Sequence, residues 1–114
     1  MEIHHSKHHN TYVTNLNATL EKLDAAISSS DVSTIISLQS ALKFNGGGHL
    51  NHTLFWENLA PKGKTEFPTS GVLKEAVRER FGGLEEMKKE VGGITVGVQG
   101  SGWGWLGFNK AIGQ

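Results

Sequence analysis

His4-His5-Ser6-Lys7-His8-His9-Asn10-Thr11-Tyr12 is the stretch on which the fold and the chemistry of this chain turn. Four of the six histidines fall inside it, and the other two, His49 and His52, lie in the apolar-rich segment Phe44 to Trp56. Imidazole is the commonest protein metal ligand and titrates near neutral pH. A helix puts positions i and i+4 on one face, which lines up His4, His8 and Tyr12, and likewise His5 and His9. A solvated basic patch or a tag remnant is the plain alternative. A tag is an uninterrupted run at a loose end, whereas this cluster runs directly into a helical apolar pattern. The cluster therefore reads as a site.

That pattern is Val13, Leu16, Leu20, Leu23 and Ile27, the spacing of one buried helix face, so residues 1–29 are expected as a long helix. Ser28-Ser29-Ser30-Asp31 breaks it, and Ser30 or Asp31 caps a second helix over about 31–43 that carries Val32, Ile35, Ile36, Leu38, Ala41 and Leu42. So short a link makes the two helices an antiparallel hairpin. Projected backwards at roughly 100° per residue, the stripe passes through His5 and His9 and leaves His4 well off it. One extra residue in a turn near His8 to Tyr12, a π-bulge, would bring His4 and His8 onto the stripe instead. Pattern alone leaves both arrangements open.

Phe44-Asn45-Gly46-Gly47-Gly48 reads as a helix end or loop, yet a helical pattern resumes with His49, Leu50, His52, Leu54, Phe55 and Leu59. Three glycines beside histidines also let another element approach closely. Ala60-Pro61-Lys62-Gly63 ends the segment. Thr69 or Ser70 caps a helix to about Phe81, Gly82-Gly83 stops it, and a short charged helix over 84–91 is stopped in turn by Gly92-Gly93. Ile94 to Val98 has β character, and Ser101 to Phe108 alternates small and large residues as a strand does. The sequence thus reads as mainly α, with a domain at 1–60 and a second at 61–114 in which a sheet begins.

Composition narrows the function. Lys plus Arg and Asp plus Glu are 11 each in 114 residues, a formal charge of zero that points neither to nucleic acid nor to an anionic membrane surface. No apolar run approaches the ~20 residues that span a bilayer. Cysteine is absent, so any metal must take imidazole and oxygen ligands. His4 or His5 on one helix and His49 or His52 on another give two convergent imidazoles, with Glu57 the only carboxylate close to the second pair. No Gly-x-Ser-x-Gly, phosphate loop or His-Glu-x-x-His occurs. The tryptophans Trp56, Trp103 and Trp105 read as core before they read as a cofactor wall.

Three motifs carry a resemblance: His4-His5-Ser6-Lys7-His8-His9-x-x-Tyr12, Phe44-Asn45-Gly46-Gly47-Gly48-His49-x-Asn51-His52-x-x-Phe55-Trp56, and Gln99-Gly100-Ser101-Gly102-Trp103-Gly104-Trp105-Leu106. Together they resemble the iron/manganese superoxide dismutase family, in its manganese type, over essentially the whole chain. The resemblance implies an N-terminal helical hairpin followed by the start of an α/β domain with a three-stranded antiparallel sheet. It implies dismutation of superoxide to dioxygen and hydrogen peroxide at a metal that alternates between trivalent and divalent states. Carried over by motif, the family's first two metal ligands match His4 and His52, which favours His4 over His5. His8 and Tyr12 match the gateway pair that narrows access and delivers protons. Trp103 matches an aromatic wall of the site, Trp56 and Trp105 a less intimate shell, and Phe44 a residue near the channel and dimer contact. Glycine at Gly48, where many iron types carry an outer-shell glutamine, implies manganese, with iron the minor alternative.

The departures are equally definite. The family's other two ligands belong to an Asp-x-Trp-Glu-His motif and its outer-shell glutamine to an Asn-Gln-Asp-Pro segment, and neither occurs here. The family also begins earlier, with a proline-rich lead-in. The chain is accordingly expected to be an internal piece of a longer enzyme, its targeting region unseen, and to be inactive alone. The complete protein is expected as a homodimer or homotetramer, in the mitochondrial matrix of a eukaryote or the cytoplasm of a bacterium. A metal-binding helical module without turnover is the competing reading for the chain alone. A metal hydrolase is disfavoured because no general base sits near the histidines.

Overall fold

The computed structural model describes residues 1–113, which form two compact units, Met1–Leu59 and a second from Ala60 onward. The first unit is the hairpin. It opens with a π-helical stretch, His4–His9, that runs without a break into α1, Asn10–Ser28, and returns along α2, Val32–Glu57.

The turn between the helices is built from side chains and backbone groups with defined tasks. Ser30 sits at φ 56°, in the left-handed region that a non-glycine residue rarely adopts. This lets the amide of Asp31 donate to the Ala26 carbonyl at 2.9 Å and that of Ser30 to the Ile27 carbonyl at 3.1 Å, closing the end of α1. Asp31, one of the two expected caps, then starts α2. Its carboxylate accepts from the Thr34 amide at 3.0 Å and from the Thr34 hydroxyl at 2.6 Å. Those two bonds, the hydroxyl's first, hold the Asp31 carboxyl below the usual carboxylate range.

Where the sequence suggested a break at Gly46-Gly47-Gly48, α2 continues through all three glycines. Each costs about 1 kcal/mol against alanine in a helix interior. Close approach of α1 offsets part of that cost. A Cβ on Gly48 would lie 2.5 Å from Tyr12 Cε1, well inside contact distance, and one on Gly46 would touch Leu16 Cδ1 at 3.7 Å. The pairs His4–His52, His9–His49, Tyr12–Gly48 and Leu16–Gly46 run in opposite order along the two helices, which fixes them as antiparallel.

In the second unit α3, Val72–Phe81, is capped by Gly71 rather than by Thr69 or Ser70. Gly82, at φ 89°, ends α3 as expected. α4, Leu84–Val96, passes through Gly92-Gly93 instead of stopping there. An ion pair between Arg80 and Glu90 at 2.8 Å joins α3 to α4, and Val77 is buried. No strand occurs among the described residues, so neither 94–98 nor 101–108 is the strand that the sequence suggested. A lone strand has no ladder to satisfy its amides. Residues 94–96 instead take helical bonds, with Gly97 N–H donating to the Gly93 carbonyl at 3.1 Å and the Thr95 hydroxyl to the Val91 carbonyl at 2.6 Å. The chain is mainly helical, as the sequence indicated, and none of its described helices is long and apolar enough to cross a membrane.

Three outcomes follow. A Cβ on Gly47 meets nothing within 4 Å, so Gly47→Ala should raise stability by about 1 kcal/mol in chemical unfolding. Gly48→Ala should lower it by about 1–3 kcal/mol because Tyr12 must move. Asp31→Ala should lower the midpoint of thermal unfolding at pH 7. Because the folded pKa of Asp31 is depressed, its contribution is present above the unfolded value of about 3.9 and fades as pH falls through the folded one. The wild-type and variant melting curves should therefore converge in strong acid.

Candidate metal centre

The π-helical stretch decides which histidines face α2. The Asn10 amide is shared between the His5 carbonyl, five residues back, and the Lys7 carbonyl, three back, where an α-helix would use the fourth. The extra residue in the turn brings positions i and i+5 onto one side, and His4 and His9 are such a pair. The sequence placed the irregularity one turn later, near His8 to Tyr12. It lies at His4–His9, and α1 is regular from Asn10. The pattern gave His5 with His9 or His4 with His8, but the observed pair is mixed: His4 and His9.

His4 Nε2 and His52 Nε2 are 2.9 Å apart. His52 is buried, and its Nδ1–H donates to the Gly48 carbonyl at 2.7 Å, one turn back on α2. That bond leaves the lone pair of His52 on Nε2, aimed at His4. In the pair, His4 Nε2–H is then the donor, an assignment that follows from the directions of the bonds. An imidazole nitrogen binds a transition-metal ion at ~2.1 Å, and two such bonds at a right angle put the nitrogens ~3 Å apart. The observed separation is the edge of such a two-imidazole set. The backbone bond on the far nitrogen of His52 is the usual support for a ligating imidazole. These residues fit half of a metal site. Among the described residues no group of three His, Cys, Asp or Glu side chains is arranged to hold an ion.

Lost hydration, then the neighbouring His52 and His8, push the His4 imidazole below its ordinary pKa, which favours the neutral form that a metal needs. Aromatic rings enclose the pair. His4 lies edge-on to Trp56 at 5.3 Å and 5.5 Å from Phe55, and Tyr12 packs on His52 at 5.2 Å and on Phe44 at 5.7 Å. His8 is exposed, its ring edge against His4 at 5.5 Å. Met1 and Ile3 join His4 and His8 around an open hollow. Trp103 belongs to the second unit, half-buried and stacked on Trp105 at 5.5 Å with an interplanar angle of 10°.

The sequence offers His49 only as an alternative to His52 and gives His9 no role beyond its place on the apolar stripe. Trp56 Nε1–H donates to His9 Nδ1 at 2.9 Å, and His9 Nε2 meets His49 Nδ1 at 2.9 Å. His9 is buried and stacks on the His52 ring at 5.3 Å. Its place at the centre of the apolar stripe was the available signal, since a histidine there must find partners.

Comparison with known proteins identifies the family. Residues 1–60 match the model of the iron/manganese superoxide dismutase α-hairpin domain, and residues 69–114 that of the same family's C-terminal domain. The chain is 58% identical over 113 residues to the mitochondrial manganese superoxide dismutase of Cryptococcus neoformans var. grubii, covering 97% of this chain and 50% of the relative. It is also 58% identical over 114 residues to that of Drosophila melanogaster, covering 100% of this chain and 51% of the relative. The chain thus spans about half the length of the curated relatives it matches. With both of its halves matched to this family's models, the chain belongs to the iron/manganese superoxide dismutases.

Proposed function

We propose that this chain supplies two metal ligands and the gateway side chains of a manganese centre that converts two superoxide ions and two protons to dioxygen and hydrogen peroxide. The observation that carries the reading is the 2.9 Å approach of His4 Nε2 to His52 Nε2, with His52 held from behind by the Gly48 carbonyl. Manganese, when bound, supplies a one-electron couple that takes an electron from one superoxide and returns one to the next.

The chain's own residues do the rest. His4 and His52 hold the ion as neutral donors. Tyr12, packed on His52, presents a phenol that can give a proton to the peroxide product. His8, at the exposed edge of His4, narrows the approach beside it. Phe55, Trp56 and the Tyr12 ring keep bulk water and larger anions from the ligands. Manganese is favoured over iron because Gly48 is the position where many iron types carry glutamine, and here Tyr12 fills the space a side chain would need.

The names of the relatives support a mitochondrial location. A homodimer or homotetramer is supported by the hairpin surface. Ile36 is 67% exposed, Val32 62% and Phe44 68%, more apolar area than one hairpin buries, although Ile35 and Leu38 are half-buried.

For the chain by itself, a metal-binding module without turnover is the reading favoured by the two-imidazole set. Water would fill most of the coordination sphere, and no carboxylate would offset the charge that sets the potential. The test is superoxide decay per bound manganese, comparing this chain with the same chain joined to the downstream half of the Drosophila relative. The joined protein should be active and should lose activity in its His52→Gln form, while the chain alone stays more than tenfold below it. A gap of less than tenfold, ~1.4 kcal/mol of barrier, would mean that His4, His52 and water suffice. An inactive joined protein that binds manganese would contradict the assigned activity.

A further inference from the structure

Four polar side chains are buried among the described residues: His9, Thr19, Asn45 and His52. Thr19 and Asn45 turn back to carbonyls of their own helices, Asn15 and Ala41. His52 belongs to the candidate metal centre. His9 bonds across the hairpin at both ring nitrogens, and the proposed activity gives it nothing to do.

Its bonds have a direction. An indole N–H can only donate, so His9 Nδ1 accepts from Trp56 and the His9 proton lies on Nε2. That proton is donated to His49 Nδ1. Both partners stand on α2, seven residues or two turns apart, and His9 is held between them. His9 is also the last residue of the π-helical stretch, whose first residue is His4. With regular α geometry at 1–29, the apolar stripe would carry His5 rather than His4 toward α2. The π-turn is therefore what swings His4 onto His52, and such turns are rare because they give up regular α packing. Something must offset that cost. The bonded ring of His9 is placed to do so.

We propose that His9, clamped between Trp56 and His49, is a positioning residue that locks the π-helical register and thereby sets His4 against His52. The proposal rests on the reading of His4 as a ligand only for its functional meaning, since the register itself is a metal-free property. When the clamp is removed the stretch relaxes to α geometry, His4 turns away and His5 takes its place over His52. Leucine at position 9 suits the stripe of Val13, Leu16 and Leu20, so His9→Leu should keep the helix while removing both bonds.

The test uses the isotopically labelled 114-residue chain without metal. Through-hydrogen-bond coupling identifies the carbonyl bonded to the Asn10 amide, and ring contacts identify which histidine faces His52. The wild type should show the Asn10–His5 bond with His4 at His52, and His9→Gln, which keeps an N–H near the position of Nε2, should retain it. His9→Leu should show an Asn10–Ser6 bond with His5 at His52. Trp56→Phe, which removes only the indole donor, should show both registers in exchange and stands in if His9→Leu fails to fold. The wild-type register persisting alone in folded His9→Leu, or in Trp56→Phe, overturns the proposal.

Added Mn²⁺ separates this from the metal reading. It should broaden the His4 and His52 ring signals of the wild type, with the half-effect concentration at least tenfold higher in His9→Leu, the usual scale for loss of an outer-shell partner. Equal concentrations would overturn the functional part of the proposal. Broadening of neither ring in the wild type would sink the ligand assignment and leave the register result standing.

Discussion

One backbone hydrogen bond, from the Asn10 amide to the His5 carbonyl, determines what this hairpin can do. It adds a residue to a single turn and so turns the face of the helix between two segments of different purpose. Below it, α1 presents an ordinary apolar stripe to α2. Above it, the same side of the helix presents His4 and His9. A regular helix could serve the stripe or His4, but not both. The irregular turn lets a hairpin that packs by its apolar residues also bring His4 Nε2 within 2.9 Å of His52 Nε2.

The three glycines of α2 are the complementary concession. They lower the intrinsic stability of the helix where it must be closest to α1, and the Tyr12 ring lies against Gly48 as a result. Tyr12 thereby reaches His52 from the same surface, and the Gly48 carbonyl orients His52 from below. His52, the carbonyl that orients it and the Tyr12 phenol thus meet where Gly48 and Tyr12 are in close contact. His4, His52 and Tyr12 are brought together by the packing of two helices.

Much of this is legible in the sequence. The stripe of Val13, Leu16, Leu20, Leu23 and Ile27 marks the first helix, Ser30 or Asp31 the start of the second, and the mismatch between the stripe and His4 leaves a one-residue slip of register open. What could not be read was the location of the slip. Periodicity is measured over several residues, and His4–His9 has too few apolar positions above it to fix the phase. Gly46-Gly47-Gly48 reads as a helix end or loop because a sequence displays local propensity and not the tertiary contact that outweighs it here. Gly92-Gly93 misled in the same way. The β character of Ile94 to Val98 expresses itself only when a neighbouring strand accepts its bonds, and the described residues contain none. His9 stands on the apolar stripe, but the family's motif points to His4, His8 and Tyr12 and assigns His9 nothing.

The central claim is that His4, and not its neighbour His5, is the partner of His52 for a metal ion. Electron spin-echo envelope modulation of Mn²⁺ bound to the chain counts the imidazole nitrogens attached to the ion. Comparing His4→Gln with His5→Gln identifies their source. Two coupled imidazoles in the wild type and in His5→Gln, falling to one in His4→Gln, is the result this account predicts. Loss of a coupled imidazole in His5→Gln, with both retained in His4→Gln, would contradict it.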